Sequence, residues 1–541
     1  MTSATGGEAI VSGLVAHGVD TVFGLPGAQI YGLFDAFLKA QLKVIGARHE
    51  QACGYMAYGY ARSTGRPGVF SVVPGPGVLN AGAALLTAFG SNEPVPCLTG
   101  QVPTQFLGKG RGHLHEMPDQ LATLRSLVKW ADRIEYPGNA PALVSRAFQE
   151  MLSGRRGPAA LEMPWDVFTQ RAETGPSKPL DPFPAPLPDT GRVKAAAALI
   201  AGSKTPMIFV GSGAIDAAEE ILELAELIDA PVVAFRSGRG IVSNAHELGL
   251  TMAAAYRLWP RTDLMIGIGT RLELPTMSRW PFRPDGLKSI RIDIDASEMR
   301  RFTPDTAVIS DARAGTSELL SAVRKAGYSK TAGRRAAIRD ASAAALHDIQ
   351  RIQPQMAYLN ILREVLPSDA IVTDELSQVG FASWYGFPVY QPRTFITSGY
   401  QGTLGSGFPT ALGAKVAHPD RQVVAITGDG GFMFGVQELA TAVQFKIGVV
   451  TLVFNNNAYG NVRRDQREHF DGRVVASDLV NPDFVRLAES FGAGASRVTS
   501  PEHFRTALEK ALVDGGPYVI AIEVAADSET SPWAFIHPAK P

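Results

Sequence analysis

The chain has 541 residues, 45% of them hydrophobic and 19% charged, with a formal net charge of −1. That length suggests three or four domains at about 150 residues each, with ample chain for a core in every one. The charge balance excludes a basic field for nucleic acid, and two cysteines exclude a disulfide framework.

Cys53 and Cys97 form no CxxC pair, so they predict small buried hydrophobes and not a zinc site. Residues 1–7 lack the basic and apolar regions of a signal peptide. No apolar run approaches the roughly 18 to 20 residues of a membrane span. A soluble, cytoplasmic protein is the expectation.

In chain order, the first chemically suggestive stretch is the loop Gly24-Leu25-Pro26-Gly27-Ala28-Gln29. The apolar LKVIGA (42–47) predicts a strand running into Arg48-His49-Glu50-Gln51 and a helix. GVFSVV (68–73) predicts a strand, PGPG a turn and VLNAGAALLTAFG a helix. His115-Glu116 follows in a polar stretch. Residues 170–191 are proline-rich without apolar periodicity and predict a semi-rigid linker.

Beyond it, PMIFVG (206–211) and DLMIGIG (263–269) predict strands, with the helical AAEEILELAELI between them. Residues 328–355, Ala/Arg-rich and ending past Pro354, predict a helical second boundary. In the last block AIVT (370–373), QVVAIT (422–427) and VVTLVFN (449–455) predict strands, and GVQELATAVQF a helix. Strand–helix–strand alternation throughout predicts α/β architecture: three doubly wound domains with parallel sheets, spanning 1–170, 188–328 and 355–541. Ligands in such sheets sit beyond the carboxyl ends of the strands. A weak echo links the first and third blocks, where a strand runs into Gly75-Pro76-Gly77 or into Gly428-Asp429-Gly430 and then a helix.

Gly428-Asp429-Gly430-Gly431 carries the sharpest chemical signal. Its glycines allow a tight turn and close approach to a ligand. A carboxylate among anion-binding backbone groups makes sense if a divalent cation bridges it to a phosphate. The next strand ends at Asn455-Asn456-Asn457-Ala458. The Asn456 amide oxygen and the Ala458 carbonyl are hard ligands that, with Asp429, suit Mg²⁺. A plain turn and a polar loop are the alternative.

GDGGFMFGVQELATAVQFKIGVVTLVFNN resembles the thiamine-diphosphate motif of the acetolactate synthase, benzoylformate decarboxylase and benzaldehyde lyase family. The likeness extends over nearly the whole chain. It implies an N-terminal pyrimidine-binding domain, a middle domain and a C-terminal diphosphate-binding domain. It implies Mg²⁺ on Asp429, Asn456 and the Ala458 carbonyl, with Gly428, Gly430, Gly431 and Tyr459 beside the cofactor. Glu50 takes the place of the glutamate that hydrogen-bonds the aminopyrimidine ring; glyoxylate carboligases lack it. Within TSGYQGTLGSGFPTA (397–411), Gly402 and Leu404 match the stretch that props the cofactor in a bent shape, and a core leucine is the rival reading. Ser377 and Gln378 match a diphosphate loop, with a helix N-cap at Ser377 as the rival. Gln29 stands where benzaldehyde lyase has a histidine, and His115 matches a loop that reaches the reacting centre, though a surface histidine is equally ordinary.

The implied activity is a thiamine-diphosphate- and Mg²⁺-dependent lyase or carboligase acting next to a 2-oxo group. Its substrates would be a small 2-oxo acid, an aldehyde or a 2-hydroxy ketone. The resemblance also implies a homodimer or homotetramer with the site between subunits. Two features depart from true acetolactate synthases. Arg464 and Asp465 replace a Gln-Trp pair, which argues against acetolactate formation from pyruvate. Arg463 or Arg464 could instead fork a substrate carboxylate, or both could be solvated helix charges, the reading the sequence favours. Block two carries only half a dinucleotide fingerprint, Gly211-Ser212-Gly213, so FAD is not favoured. A flavin-linked oxidase and a cofactor-binding partner subunit are the alternative functions.

Overall fold

The computed structural model describes residues 2–540. It contains three six-stranded sheets, every pairing within them parallel, and a small antiparallel pair, Thr2–Thr5 with Arg171–Thr174. The start of the proline-rich stretch is therefore a strand that ties down the chain's beginning. Parallel strands need long crossovers, and the amphipathic helices between them supply these while covering both faces.

With strands numbered by chain order inside each sheet, the first and third sheets share the order 2-1-3-4-6-5. The first comprises Thr21–Gly24, Lys43–Gly46, Val69–Val72, Pro96–Gln101, Trp130–Arg133 and Ala159–Pro164. The third comprises Ile371–Thr373, Phe395–Ile396, Val423–Gly428, Val450–Asn455, Gly494–Val498 and Tyr518–Glu523. The echo in the sequence is thus a repeated fold. In both sheets the strand order reverses between the first and third strands, and that switch point opens a crevice at their carboxyl ends. The middle sheet has the order 3-2-1-4-5-6.

The two outer domains share one core. Helix Glu50–Thr64 crosses helix Gly407–Ala417 at glycines. A Cβ on Gly59 would lie 2.0 Å from the Thr410 carbonyl oxygen, and one on Gly413 would lie 1.9 Å from that of Met56. Backbone cannot yield as a side chain can, so Gly59→Ala is expected to cost about 1–3 kcal/mol through overpacking, despite alanine's better helix propensity. Denaturant melts of the variant test this. Cys53 and Cys97 are free and buried. No helix of the described residues is long and apolar enough to cross a membrane.

Candidate active site

The third sheet's switch point gathers the expected cation ligands. Strand Val423–Gly428 delivers Asp429, which is 2% exposed. Asp429 Oδ2 accepts from the Ala458 backbone N–H at 3.2 Å and from Asn481 Nδ2 at 2.7 Å. The same Ala458 N–H reaches Asn456 Oδ1 at 3.1 Å. Burial pushes the Asp429 carboxyl above the usual aspartate range. The expected helix from this turn is broken into Asp429–Phe432 and Glu438–Gln444. Gly430, Gly431 and Gly435 are poor helix formers and interrupt it. Gly430 is required for packing, because its Cβ would meet the Tyr459 ring at 2.4 Å.

Across the crevice, a Cβ on Gly428 would lie 3.2 Å from that of Ser377. The Ser377 hydroxyl oxygen accepts from Gly380 N–H at 3.0 Å, so it does cap helix Gln378–Gly386, while its proton stays available to donate. Gln378 Oε1 accepts from Arg464 Nη1 at 3.1 Å. Arg463 and Arg464 are 18% and 19% exposed, so the favoured reading of them as solvated charges is corrected. Their helix, Gly460–His469, lies against the site, and Asn461, Gln378 and Asp478 hold them. Gly402 has φ +56°, and Leu404 is half-buried beside it. Hard oxygens facing a guanidinium, a hydroxyl and an amide suit a cation-bridged diphosphate.

The first sheet's switch point holds the other group. Glu50 begins helix Glu50–Thr64 and is half-buried, and its Oε2 accepts from Asn80 Nδ2 at 3.1 Å. Gln29 is fully buried with φ +78°, and His115 has φ +63°. Left-handed backbone at two non-glycine residues costs of order 1–3 kcal/mol each and persists where the surroundings enforce it. Gln29 Nε2 donates to the Leu114 carbonyl at 2.6 Å, and His115 Nδ1 lies 2.9 Å from Gln29 Oε1. The amide nitrogen can only donate, so Oε1 must face the imidazole and Nδ1 must carry the proton. His115 Nε2 is left as an acceptor. Burial pulls His115 below the ordinary imidazole range, opposed by the charge of Glu50.

Within the chain, no hydrogen bond or ion pair of the described residues joins Glu50, Gln29 or His115 to Asp429, Asn456 or Ala458. Within the chain the two switch points are separate groups. Exposed apolar side chains edge both: Leu79 and Leu114 near Glu50, Met433 and Phe434 near Asp429.

Three participants went unassigned in the sequence. Asn481 ties Asp429 to Asn455 and Asn457 from a loop without a motif. Glu375, two residues before Ser377, is 2% exposed, accepts from the Gly405 N–H and is pushed by burial up to about 8. Glu529 accepts from Asn456 Nδ2 at 2.6 Å, and burial with the nearby Asp429 charge moves it up to about 7. The C-terminal segment carrying it lies over this end of the sheet.

The flavin alternative turns on a cavity of about 210 Å³ at the carboxyl ends of the middle sheet. Small-molecule sites usually span roughly 300–1,000 Å³. Gly211 serves close packing, since its Cβ would lie 2.5 Å from the Gly269 carbonyl oxygen. Arg236 pairs with Glu273 and Arg155 with Glu298 in the walls. Paired arginines around so small a cavity do not favour a flavin.

Comparison with known proteins finds three family models, one for each large sheet. Residues 4–123 match the family model described as thiamine pyrophosphate enzyme, N-terminal TPP binding domain. Residues 193–319 match its central domain and 376–522 its C-terminal TPP binding domain. A probable acetolactate synthase large subunit of Methanocaldococcus jannaschii is 34% identical over 96% of this chain and 92% of its own. A probable 2-ketoarginine decarboxylase of Pseudomonas aeruginosa is 32% identical, covering 96% and 94%. The acetolactate synthase isozyme 3 large subunit of Escherichia coli is 29% identical, covering 98% and 99%.

Proposed function

The chain belongs to the thiamine pyrophosphate enzyme family and is a thiamine-diphosphate-dependent decarboxylase or carboligase, and from that premise we propose that it acts on a small 2-oxo acid at a site built from two copies of the chain. The observation that carries this reading is the knot at neighbouring strand ends, where Asp429 and Asn456 share the Ala458 amide and Asn481 donates to Asp429. Asp429, the Asn456 amide oxygen and the Ala458 carbonyl would hold Mg²⁺. Ser377, Gln378 and Arg464 would face the diphosphate, with Gly428, Gly430, Gly431 and Tyr459 as walls and Gly402 and Leu404 on the opposite side. When bound, thiamine diphosphate supplies a nucleophilic carbon and an electron sink for the C–C bond that breaks or forms.

The chain's own residues position the reactants and manage protons. Glu50 offers Oε1 for holding or releasing a proton while Asn80 fixes Oε2. Gln29 sets the tautomer of His115, whose Nε2 can accept a proton from a reacting hydroxyl. Neutral His115 is required, and its burial keeps it neutral to lower pH than an ordinary histidine. The acid limb of kcat/KM should therefore inflect below the ordinary imidazole value of about 6.5. His115→Gln is expected to lower kcat/KM by about 10²-fold and abolish that limb. An unchanged profile in the variant would remove His115 from this role.

The apolar edges of the two half-sites support a homodimer or homotetramer that brings Glu50 of one copy to Asp429 of another. Domains at 1–170, 188–328 and 355–541 and a cytoplasmic location complete the proposal. Arg464, where the sequence departs from a Gln-Trp pair, disfavours acetolactate as the main product and leaves an aldehyde, or an acyloin made or cleaved, as the outcome. Incubating the protein with Mg²⁺, thiamine diphosphate and a panel of 2-oxo acids and 2-hydroxy ketones, with mass spectrometry of CO₂ and carbonyl products, tests this. Turnover of none of them would sink it.

A further inference from the structure

We infer that Glu529 is a positioning residue of the cation site, turning the Asn456 amide so that its oxygen converges with Asp429. The inference rests on Asp429 and Asn456 being cation ligands. An asparagine amide has a donating and an accepting end, and only a partner on one of them selects the flip. Glu529 Oε2 takes Nδ2 at 2.6 Å. Oδ1 is thereby sent to the opposite side, toward the Ala458 N–H that also serves Asp429 Oδ2. Both oxygens are thereby drawn to one backbone group, at the strand ends where the proposed cation would take hard oxygen ligands.

Glu529 is held for this task. Thr530 N–H donates to the Gln353 carbonyl at 2.9 Å, and Gln355 Nε2 donates to the Thr530 carbonyl at 2.7 Å. The Tyr385 hydroxyl donates to the Pro532 carbonyl at 3.2 Å. Trp533 Nε1 donates to Asn461 Oδ1 at 2.5 Å, and its ring lies 4.9 Å from that of Phe381. The C-terminal segment is thus bolted to the helices on both sides of the crevice, and Glu529 is the side chain it delivers inside. Asp429 and Glu529 place two carboxylates around one asparagine, an arrangement that a bound cation relieves.

The test is calorimetric titration of Mg²⁺ into the full chain with saturating thiamine diphosphate, which reads binding and not turnover. E529L keeps volume but removes the acceptor, and should weaken Mg²⁺ about 10- to 100-fold, the usual effect of losing an outer partner of a ligand. E529Q retains an oxygen for Asn456 Nδ2 and should stay within a few-fold of wild type. E529A substitutes for E529L if the leucine variant fails to fold. Wild-type-like affinity in E529L, or equal weakening in E529Q and E529L, would overturn the positioning role while D429A still loses the ion. Should D429A also bind Mg²⁺ normally, the cation site itself is misassigned and the inference falls with it.

Discussion

Glu50→Gln should leave thiamine diphosphate bound yet reduce turnover by about 10²- to 10⁴-fold, the span that a positioned acid or base contributes. Glutamine matches the volume of Glu50 and can keep the contact with Asn80 Nδ2 through its oxygen. It cannot exchange a proton. On the proposed assignment the cation and diphosphate ligands lie at the other switch point, so cofactor affinity should change only a few-fold. Calorimetry reads the affinity, and release of CO₂ in a single turnover reads the chemistry. A variant within tenfold of wild type would strip Glu50 of its role. Lost cofactor binding with folding intact would instead make Glu50 an anchor. In one chain Glu50 is only half-buried. In the proposed assembly a facing copy would finish the enclosure that proton transfer away from water requires.

Asp429→Ala should abolish Mg²⁺-dependent binding of thiamine diphosphate, raising the apparent Kd by more than about 100-fold, or upward of about 2.7 kcal/mol. The carboxylate is the only charged member of the proposed ligand set, and the backbone and amide oxygens cannot replace it. Removing it leaves the Ala458 N–H on Asn456 Oδ1 and the Asn481 amide on Asn455 and Asn457, so the apo protein should lose only about 1 kcal/mol of stability. Asp429→Asn separates the two effects: the amide oxygen can still accept while the charge is gone. The metal reading requires Asp429→Asn to melt near wild type and still fail to bind. Normal Mg²⁺-dependent affinity in either variant would refute it.

What was legible in the sequence was whatever the chemistry needs in one contiguous stretch. A buried strand delivering Gly428-Asp429-Gly430, and the next one delivering Asn455-Asn456, are read from hydrophobic runs and the residues that end them, because in parallel sheets the strand end is where ligands meet the chain. Glu50 after LKVIGA and the Ser377-Gln378 loop after AIVT also follow predicted strands, but their expected roles come only from the family resemblance. The three-block alternation followed from periodicity alone.

The rest depends on contacts between segments far apart in sequence. Asn481, Glu375 and Glu529 sit in loops or termini with no period and no spacing to mark them, and they reach the site only because crossovers set strand order and loops close over the switch point. The arginines of Gly460–His469 read as solvated because a polar helix shows no apolar face, yet residues distant in sequence hold them, Gln378 on Arg464 and Asp478 on Arg463. The tautomer of His115 was equally hidden: it follows from which end of the Gln29 amide faces it, and hydrogen-bond direction is a property of folded neighbours and not of residue type.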